Sequence, residues 1–143
     1  HLPALIPDDY LPNISTRLVL YKRIAQAQDK EALNHIQVEM IDRFGLLPDE
    51  TKQLFIQAEV RLRAQALGIS EVDLGVAGGS VKFESTTPVP VTSLIDLLQS
   101  NPKEFKLAGS DTLRFIRELE SGQARRNYID RLMTQWEEAC KNS

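Results

Sequence analysis

The side chains that could do chemistry in this sequence are few and widely separated. The two histidines are His1 and His35, the single cysteine is Cys140, and none of them belongs to a recognisable catalytic motif. The glycine-rich stretch 75–80 lacks the Gly-Lys-Ser/Thr ending of a phosphate-binding loop, so a hairpin turn is the better interpretation. Because an enzyme needs several convergent groups, the sequence predicts a non-catalytic chain with no metal or cofactor of its own.

One charged surface stands out on a predicted helix that begins after Asp29 and ends before Gly45. Its core-facing stripe recurs at helical spacing and comprises Leu33, Ile36, Met40, Ile41 and Phe44. Asp42 lies nearly opposite this stripe, and Glu39 and Arg43 lie towards its flanks. Glu39 and Arg43 are spaced i, i+4 with the acid first, which suits a local ion pair. From the residues alone, this surface is either a solvated face, which composition favours, or a docking face for a partner.

A second charged cluster, Arg125, Arg126 and Arg131, lies at the start of the last predicted helix. Helix N-termini and arginines attract phosphate groups, so the cluster could contact nucleic acid. Three acidic residues between positions 118 and 130 surround it, and the chain carries a formal net charge of -3. These charges favour a solvated, salt-bridged face instead.

The first half of the sequence predicts three helices, the second of which carries Glu39, Asp42 and Arg43. The first follows a cap at Asn13 or Ser15, the second ends at Gly45, and the third opens at Pro48 and ends at Gly68. The second and third helices therefore form an αα-hairpin. The expected buried stripe of the third helix comprises Phe55, Ala58, Leu62 and Ala66.

The second half changes to alternating apolar residues. Residues 72–83 predict a hairpin that turns at Gly78-Gly79. A short helix follows, capped at Thr92 or Ser93 and ended by Asn101-Pro102.

The remainder of the chain predicts a second hairpin and a last helix. Residues 105–115 favour a hairpin, although 110–119 also suit a helix. Residues 123–141 form a long amphipathic helix, whose inner face is expected to comprise Tyr128 or Ile129, Leu132, Trp136 and Cys140. The predicted fold class is α+β: a helical N-terminal half (αα-hairpin) packed with a small, mostly antiparallel sheet, and a long C-terminal helix.

At 143 residues the chain is expected to be one domain, 1–143, in which residues 1–12 form an extended linker or edge strand. It begins with His1 rather than Met, which predicts a piece of a longer protein. No apolar run approaches the ~20 residues of a membrane span. One cysteine fits a reducing compartment, so a cytoplasmic location is expected.

Three motifs, in order, resemble the C-terminal domain of the bacterial transcription-repair coupling factors (the Mfd family). They are Ile6-Pro7-Asp8-Asp9-Tyr10, then Arg17-Leu18 with Tyr21-Lys22-Arg23-Ile24, then Glu39 with Asp42-Arg43-Phe44-Gly45 and Pro48. The resemblance covers essentially the whole chain and is strongest in the first 70 residues.

The resemblance implies the regulatory C-terminal domain of a large, multidomain, ATP-driven DNA translocase. ATP and Mg²⁺ would belong to motor domains that are absent here. The domain would dock on the UvrA-binding module of the same protein and autoinhibit UvrA recruitment in transcription-coupled nucleotide excision repair. The family's contact maps onto Glu39, Asp42 and Arg43.

The full-length family proteins are also expected to engage UvrA, RNA polymerase and duplex DNA, and no membrane. The alternative function is an accessory domain that itself contacts nucleic acid or RNA polymerase. That alternative would use Arg125, Arg126 and Arg131.

Overall fold

The computed structural model describes residues 3–142. Its elements are α1 (Ile14–Gln26), α2 (Lys30–Phe44), α3 (Asp49–Ala66), β1 (Ile69–Gly75), β2 (Gly78–Phe83), α4 (Val91–Ser100), β3 (Phe105–Ala108), β4 (Thr112–Ile116) and α5 (Gly122–Lys141). They confirm the predicted α+β class. The chain divides into two compact units, with the boundary between Leu62 and Arg63. The expectation of one domain over 1–143 stays a prediction.

The helices of the first unit begin and end at the residues whose chemistry favours those positions. The Asn13 side chain accepts a hydrogen bond from the Thr16 N–H at 2.9 Å, so Asn13 rather than Ser15 caps α1. Asp29 caps α2 in the same way. Gly45 ends α2 with φ at 94°, a backbone conformation that glycine adopts without the clash a Cβ would cause.

The core of the first unit gathers one face of each helix and the segment before α1. Its buried members are Ile6, Leu11, Leu20, Ile24, Ala27, Leu33, Ile36, Met40, Leu47, Phe55 and Ala58. Residues 3–12 form no strand, so the edge strand expected there is not formed by the described part of that segment. The segment packs through Ile6 and Leu11 instead.

The predicted buried faces of α2 and α3 each include residues that are not buried in the structure. Ile41 is 39% exposed, because it lies about 100° around α2 from the fully buried Met40. On α3, Leu62 is only half-buried and Ala66 is exposed. Ala66 stands in the last turn of α3, beyond the part that carries the buried Phe55.

The second unit contains a four-stranded antiparallel sheet in the order β1-β2-β4-β3. β3 pairs with β4 from Phe105↔Phe115 to Ala108↔Thr112, which confirms the second hairpin and makes residues 112–116 a strand. The inner face of the sheet carries Val81 and Leu113, both fully buried.

The first hairpin turns two residues earlier than predicted. Gly75 pairs with Gly78, so Val76 and Ala77 form the turn and Gly78-Gly79 opens β2. A Cβ at Gly78 would collide with the Phe115 carbonyl oxygen, and Gly78 has φ at 134°. A Cβ at Gly79 would likewise collide with the Asp73 carbonyl oxygen. These glycines are needed for close strand approach, which local turn statistics do not reveal.

The start of α4 and the buried face of α5 differ from the predictions. α4 begins after Pro90 without a side-chain cap, and the predicted cap Ser93 lies inside the first turn, where its hydroxyl donates to the Pro90 carbonyl at 2.8 Å. α4 ends at Asn101, as predicted. α5 begins after Ser121, and Cys140 on its predicted inner face is only half-buried.

Aromatic contacts and one arginine join α5 to the rest of the second unit. Phe83 and Trp136 pack edge to face with ring centroids 5.1 Å apart. Arg63 forms ion pairs with Asp130 and Glu137 at 2.6 and 2.8 Å. Among residues 3–142, no helix combines the length and the hydrophobicity that crossing a bilayer requires.

We expect Gly78→Ala to lower the free energy of unfolding by about 2 kcal/mol, because the added methyl group meets the Phe115 carbonyl and φ is positive. Gly75→Ala is the matched control, since the nearest heavy atom to its Cβ is 3.6 Å away. Urea unfolding followed by Trp136 fluorescence measures both. Equal losses in the two variants would contradict this role for Gly78.

Candidate interdomain docking surface

The predicted site residues lie on the outward side of α2, but they are not equally accessible. Asp42 and Arg43 are exposed, whereas Glu39 is partly buried. Two residues near them in the sequence carry exposed apolar side chains: Val38 on α2 is 58% exposed, and Leu46, two residues after the end of α2, is 85% exposed. We call Val38, Asp42, Arg43 and Leu46 the α2 surface. It is a mixed polar and apolar patch, which is typical of contacts between domains of one chain.

Glu39 is held inside the first unit by two arginines. Arg23 on α1 donates to both of its carboxylate oxygens, at 2.8 and 3.2 Å. Arg43, one turn further along α2, lies 3.5 Å from the same carboxylate. The predicted i, i+4 pair is therefore present, but the stronger bidentate partner is Arg23.

Sequence reasoning missed Arg23 because its distance along the chain from Glu39 hides the contact. Only residues 27–29 connect α1 to α2, so the two helices are neighbours in the chain. A search for opposite charges on facing helices joined by a short connection would have considered this pair.

The arginines also set the protonation of Glu39. The hydrogen bonds from Arg23 hold the pKa of Glu39 below its ordinary value, against the partial burial that raises it, and Arg43 lowers it further. The same contact raises the pKa of Arg23. Glu39 is therefore an ionised residue that links α2 to α1, and both of its carboxylate oxygens already accept hydrogen bonds from Arg23. Its predicted role as a docking acid is the weaker part of the predicted site.

Asp42 and Arg43 are more exposed than Glu39. Within residues 3–142, Asp42 forms no ion pair. Arg43 is oriented by Glu39 on one side and by Phe44 on the other, whose ring centroid is 4.8 Å from the guanidinium carbon. This side chain is therefore positioned before any partner arrives, which reduces the ordering cost of a contact.

The other residues of the three sequence motifs hold the same unit together. The Tyr10 hydroxyl donates to the Gly45 carbonyl at 2.8 Å, which fixes the end of α2. The Tyr21 hydroxyl accepts from the Ile6 N–H at 2.7 Å. Arg17 donates to the Leu11 carbonyl at 2.8 Å. The motifs thus meet in space, and most of their polar groups serve the fold that supports the α2 surface.

The three arginines of the alternative function do not form one available patch. Arg125 donates to the Leu119 carbonyl at 2.8 Å and is partly buried. Arg126 donates to the Gln123 side chain at 2.9 Å. Arg131 is exposed, five residues further along α5. Residues 3–142 contain no group of three or more metal-ligating side chains.

We expect Glu39→Gln to destabilise the first unit at neutral pH, because the ion pair with Arg23 is lost. A depressed folded-state pKa stabilises the fold above the unfolded pKa, and this contribution disappears as the pH falls through the folded pKa. The difference from wild type should therefore vanish in acid. Urea unfolding of wild type and Glu39→Gln, followed by circular dichroism at neutral pH and in acid, measures this difference.

Asp42→Asn is the matched control for this change, since Asp42 is exposed and lies near the negative end of the α2 dipole. It should leave stability at neutral pH unchanged or slightly higher. A Glu39→Gln loss that persists undiminished in acid would show that the ion pair is not its cause.

Comparison with known proteins gives the family. The TRCF domain family model matches residues 1–94. The transcription-repair-coupling factor of Escherichia coli K12 is 41% identical over 96% of this chain, and that of Haemophilus influenzae is 39% identical over 90%. This chain spans only 12% and 11% of those proteins.

A solved structure shows the same fold. The crystal structure of the C-terminal domain of a transcription-repair coupling factor superposes with a TM-score of 0.72 at 20% identity, covering 99% of this chain and 89% of that one. The family match over residues 1–94 and the relatives aligned along nearly the whole chain show that the chain belongs to the TRCF domain family of transcription-repair-coupling factors.

Proposed function

We propose that this chain is a non-catalytic docking domain of a cytoplasmic transcription-repair-coupling factor. It binds the UvrA-binding module of its own protein and thereby restrains UvrA recruitment in transcription-coupled nucleotide excision repair. The observation that supports this most is the α2 surface, where the exposed Asp42 and the pre-oriented Arg43 lie beside exposed Val38 and Leu46.

The chemistry of this surface suits a contact that must open again. Exposed ion pairs contribute about 0–1 kcal/mol each, so two or three of them hold a closed state without making it permanent. The apolar part is small, because it consists of two side chains rather than a continuous seam. UvrA, which in this proposal binds only the undocked state, can then shift the equilibrium from the docked to the undocked state.

The roles within the surface follow from the contacts. Asp42 supplies a carboxylate for a basic group on the module, and Arg43 supplies a guanidinium for an acidic one. Glu39 acts indirectly, because it holds Arg43 and braces α2 against α1. Of the three predicted docking residues, this assignment keeps Asp42 and Arg43 as the docking charges and gives Glu39 a supporting role.

The rest of the activity expected of the family is assigned to other domains. ATP-driven translocation on duplex DNA, with ATP and Mg²⁺, and the contact with RNA polymerase belong to the larger part of the protein that this chain does not span. Docking by this domain makes UvrA recruitment depend on the state of that larger part.

We expect the double variant Asp42→Ala, Arg43→Ala in the full-length protein to raise UvrA affinity by roughly tenfold, since two exposed pairs at about 0.7 kcal/mol each are lost. The isolated chain should bind the separately expressed UvrA-binding module, and UvrA should compete with it. Calorimetry or surface plasmon resonance measures both affinities.

The matched control is Glu138→Ala, Lys141→Ala, which removes an exposed acid and base from α5. It should leave UvrA affinity unchanged. If the α2 double variant folds normally and binds UvrA with wild-type affinity, the docking role of this surface is wrong.

A further inference from the structure

β1 is an edge strand of the sheet in the second unit. Within residues 3–142 it pairs with β2 and with no other strand. It runs from Ile69 to Gly75, and five of its seven residues are exposed. An edge strand presents N–H and C=O groups that have no neighbouring strand, so another extended chain can pair with it.

The register of the first hairpin shows which backbone groups of β1 point outward. Gly75 and Gly78 flank the two-residue turn, so they form a hydrogen-bonded pair, and bonded and non-bonded pairs alternate from there. Val72 and Leu74 belong to the non-bonded pairs and therefore direct their N–H and C=O groups away from β2. No loop, turn or cap backbone group of residues 3–142 bonds to either residue.

The other edge of the sheet is less open. β3 has only four residues, Phe105–Ala108, and the Phe105 N–H already donates to the Asn101 carbonyl at 3.0 Å. Short edge strands resist pairing with another chain. β1 is thus the edge of this sheet that can accept a further strand.

Two exposed carboxylates, those of Glu71 and Asp73, give the open edge a negative charge. Neither forms an ion pair within residues 3–142. The cross-strand neighbour of Glu71 is Lys82, which is exposed and outside ion-pair distance, and that of Asp73 is the uncharged Ser80. The edge therefore suits a partner that brings basic side chains.

The alternate positions of the same edge are apolar. Val72 is 38% exposed and Leu74 is half-buried. Successive side chains of a strand point to opposite faces, so the acids lie on one face of the sheet and these two residues on the other. A complementary strand would place basic residues beside the acids and apolar residues beside Val72 and Leu74.

A second copy of this chain does not provide that pattern. In the antiparallel pairing of two β1 strands that bonds both outward residues of each copy, Val72 lies opposite Leu74. Asp73 then lies opposite Asp73 of the other copy. Like charges directly opposite each other destabilise a strand pair, so the charges favour a different partner.

We propose that Glu71, Val72, Asp73 and Leu74, here called the β1 edge, bind an extended segment of a partner protein in which lysine or arginine alternates with apolar residues. The segment adds a fifth strand beside β1 and exchanges backbone hydrogen bonds with Val72 and Leu74. In pairing of this kind the main chain supplies affinity, and the alternate side chains supply specificity. The proposal is independent of the docking function, because it uses no residue of the α2 surface.

The probe is a fluorescently labelled synthetic peptide, as long as β1, in which lysine and valine alternate. We expect it to bind the chain saturably in fluorescence anisotropy at constant ionic strength. A peptide of the same composition with all its lysines grouped before its valines keeps the charge and loses the alternation. It should bind roughly tenfold more weakly, or worse.

Methylation of the peptide backbone separates strand pairing from charge attraction. In the proposed pairing the valines lie opposite Val72 and Leu74, so the valine amides donate to β1 and the lysine amides point away. Methylating the valine amides should weaken binding by roughly tenfold or more, whereas methylating the lysine amides should have little effect. Hydrogen exchange should show protection of the Val72 and Leu74 amides when the unmodified peptide binds.

The variant Glu71→Gln, Asp73→Asn should bind the alternating peptide roughly tenfold more weakly, as the loss of two exposed ion pairs predicts. Its control is Glu31→Gln, Asp96→Asn, which removes the same charge from exposed positions on α2 and α4. This control should bind like wild type.

Three results would overturn the proposal. The first is the absence of saturable binding. The second is equal binding of the alternating and grouped peptides, or of the two methylated peptides, which would show attraction by charge alone. The third is protection of the Val72 and Leu74 amides that rises with protein concentration in the absence of peptide, which would assign the β1 edge to a second copy. Equal losses in the Glu71→Gln, Asp73→Asn variant and its control would overturn the role of the two acids.

Discussion

The carboxylate of Glu39 is the constraint on which the α2 surface depends. Arg23 binds both of its oxygens from α1, and Arg43 approaches it along α2. The group therefore ties two helices together and orients an exposed guanidinium at the same time. Partial exposure keeps the network modest in free energy, yet it determines which charges remain available to a partner. Asp42 and Arg43 are exposed, whereas Glu39 is partly buried and accepts hydrogen bonds from Arg23.

The three family motifs have a shared physical explanation. Tyr10 binds the end of α2, Tyr21 binds the segment before α1, and Arg17 binds a carbonyl of that same segment. A pattern that identifies the family thus consists largely of residues that build one small unit. The docking proposal adds to this scaffold only the residues that it leaves exposed, and for that reason the family resemblance alone cannot distinguish structural from functional positions.

The second unit is held by a different set of constraints. Gly78 and Gly79 let three strands approach closely, and Arg63 joins the end of α3 to α5 through two acids. Trp136 packs edge to face on Phe83, and its buried Nε1–H has no hydrogen-bond acceptor among the described residues. The other buried side-chain nitrogen and oxygen atoms of residues 3–142 have hydrogen-bond partners, as is usual in folded proteins.

The sequence by itself determined the three helices of the first half, the capping residue Asp29, the end of α2 at Gly45 and the presence of the first hairpin, because each follows from interactions within a few residues. It also determined that Glu39 and Arg43 pair. It left the cap of α1 open between Asn13 and Ser15, and residues 110–119 open between strand and helix, and the structure decided for Asn13 and for a strand. The tertiary structure alone decided that Arg23 engages Glu39, that Gly78-Gly79 admits β4 instead of turning the chain, and that Ser93 lies inside α4. The first two outcomes depend on residues that are distant in the sequence and meet only in the fold. The third depends on which of several neighbouring polar groups caps the helix. The periodicity of apolar residues does not predict either kind of outcome.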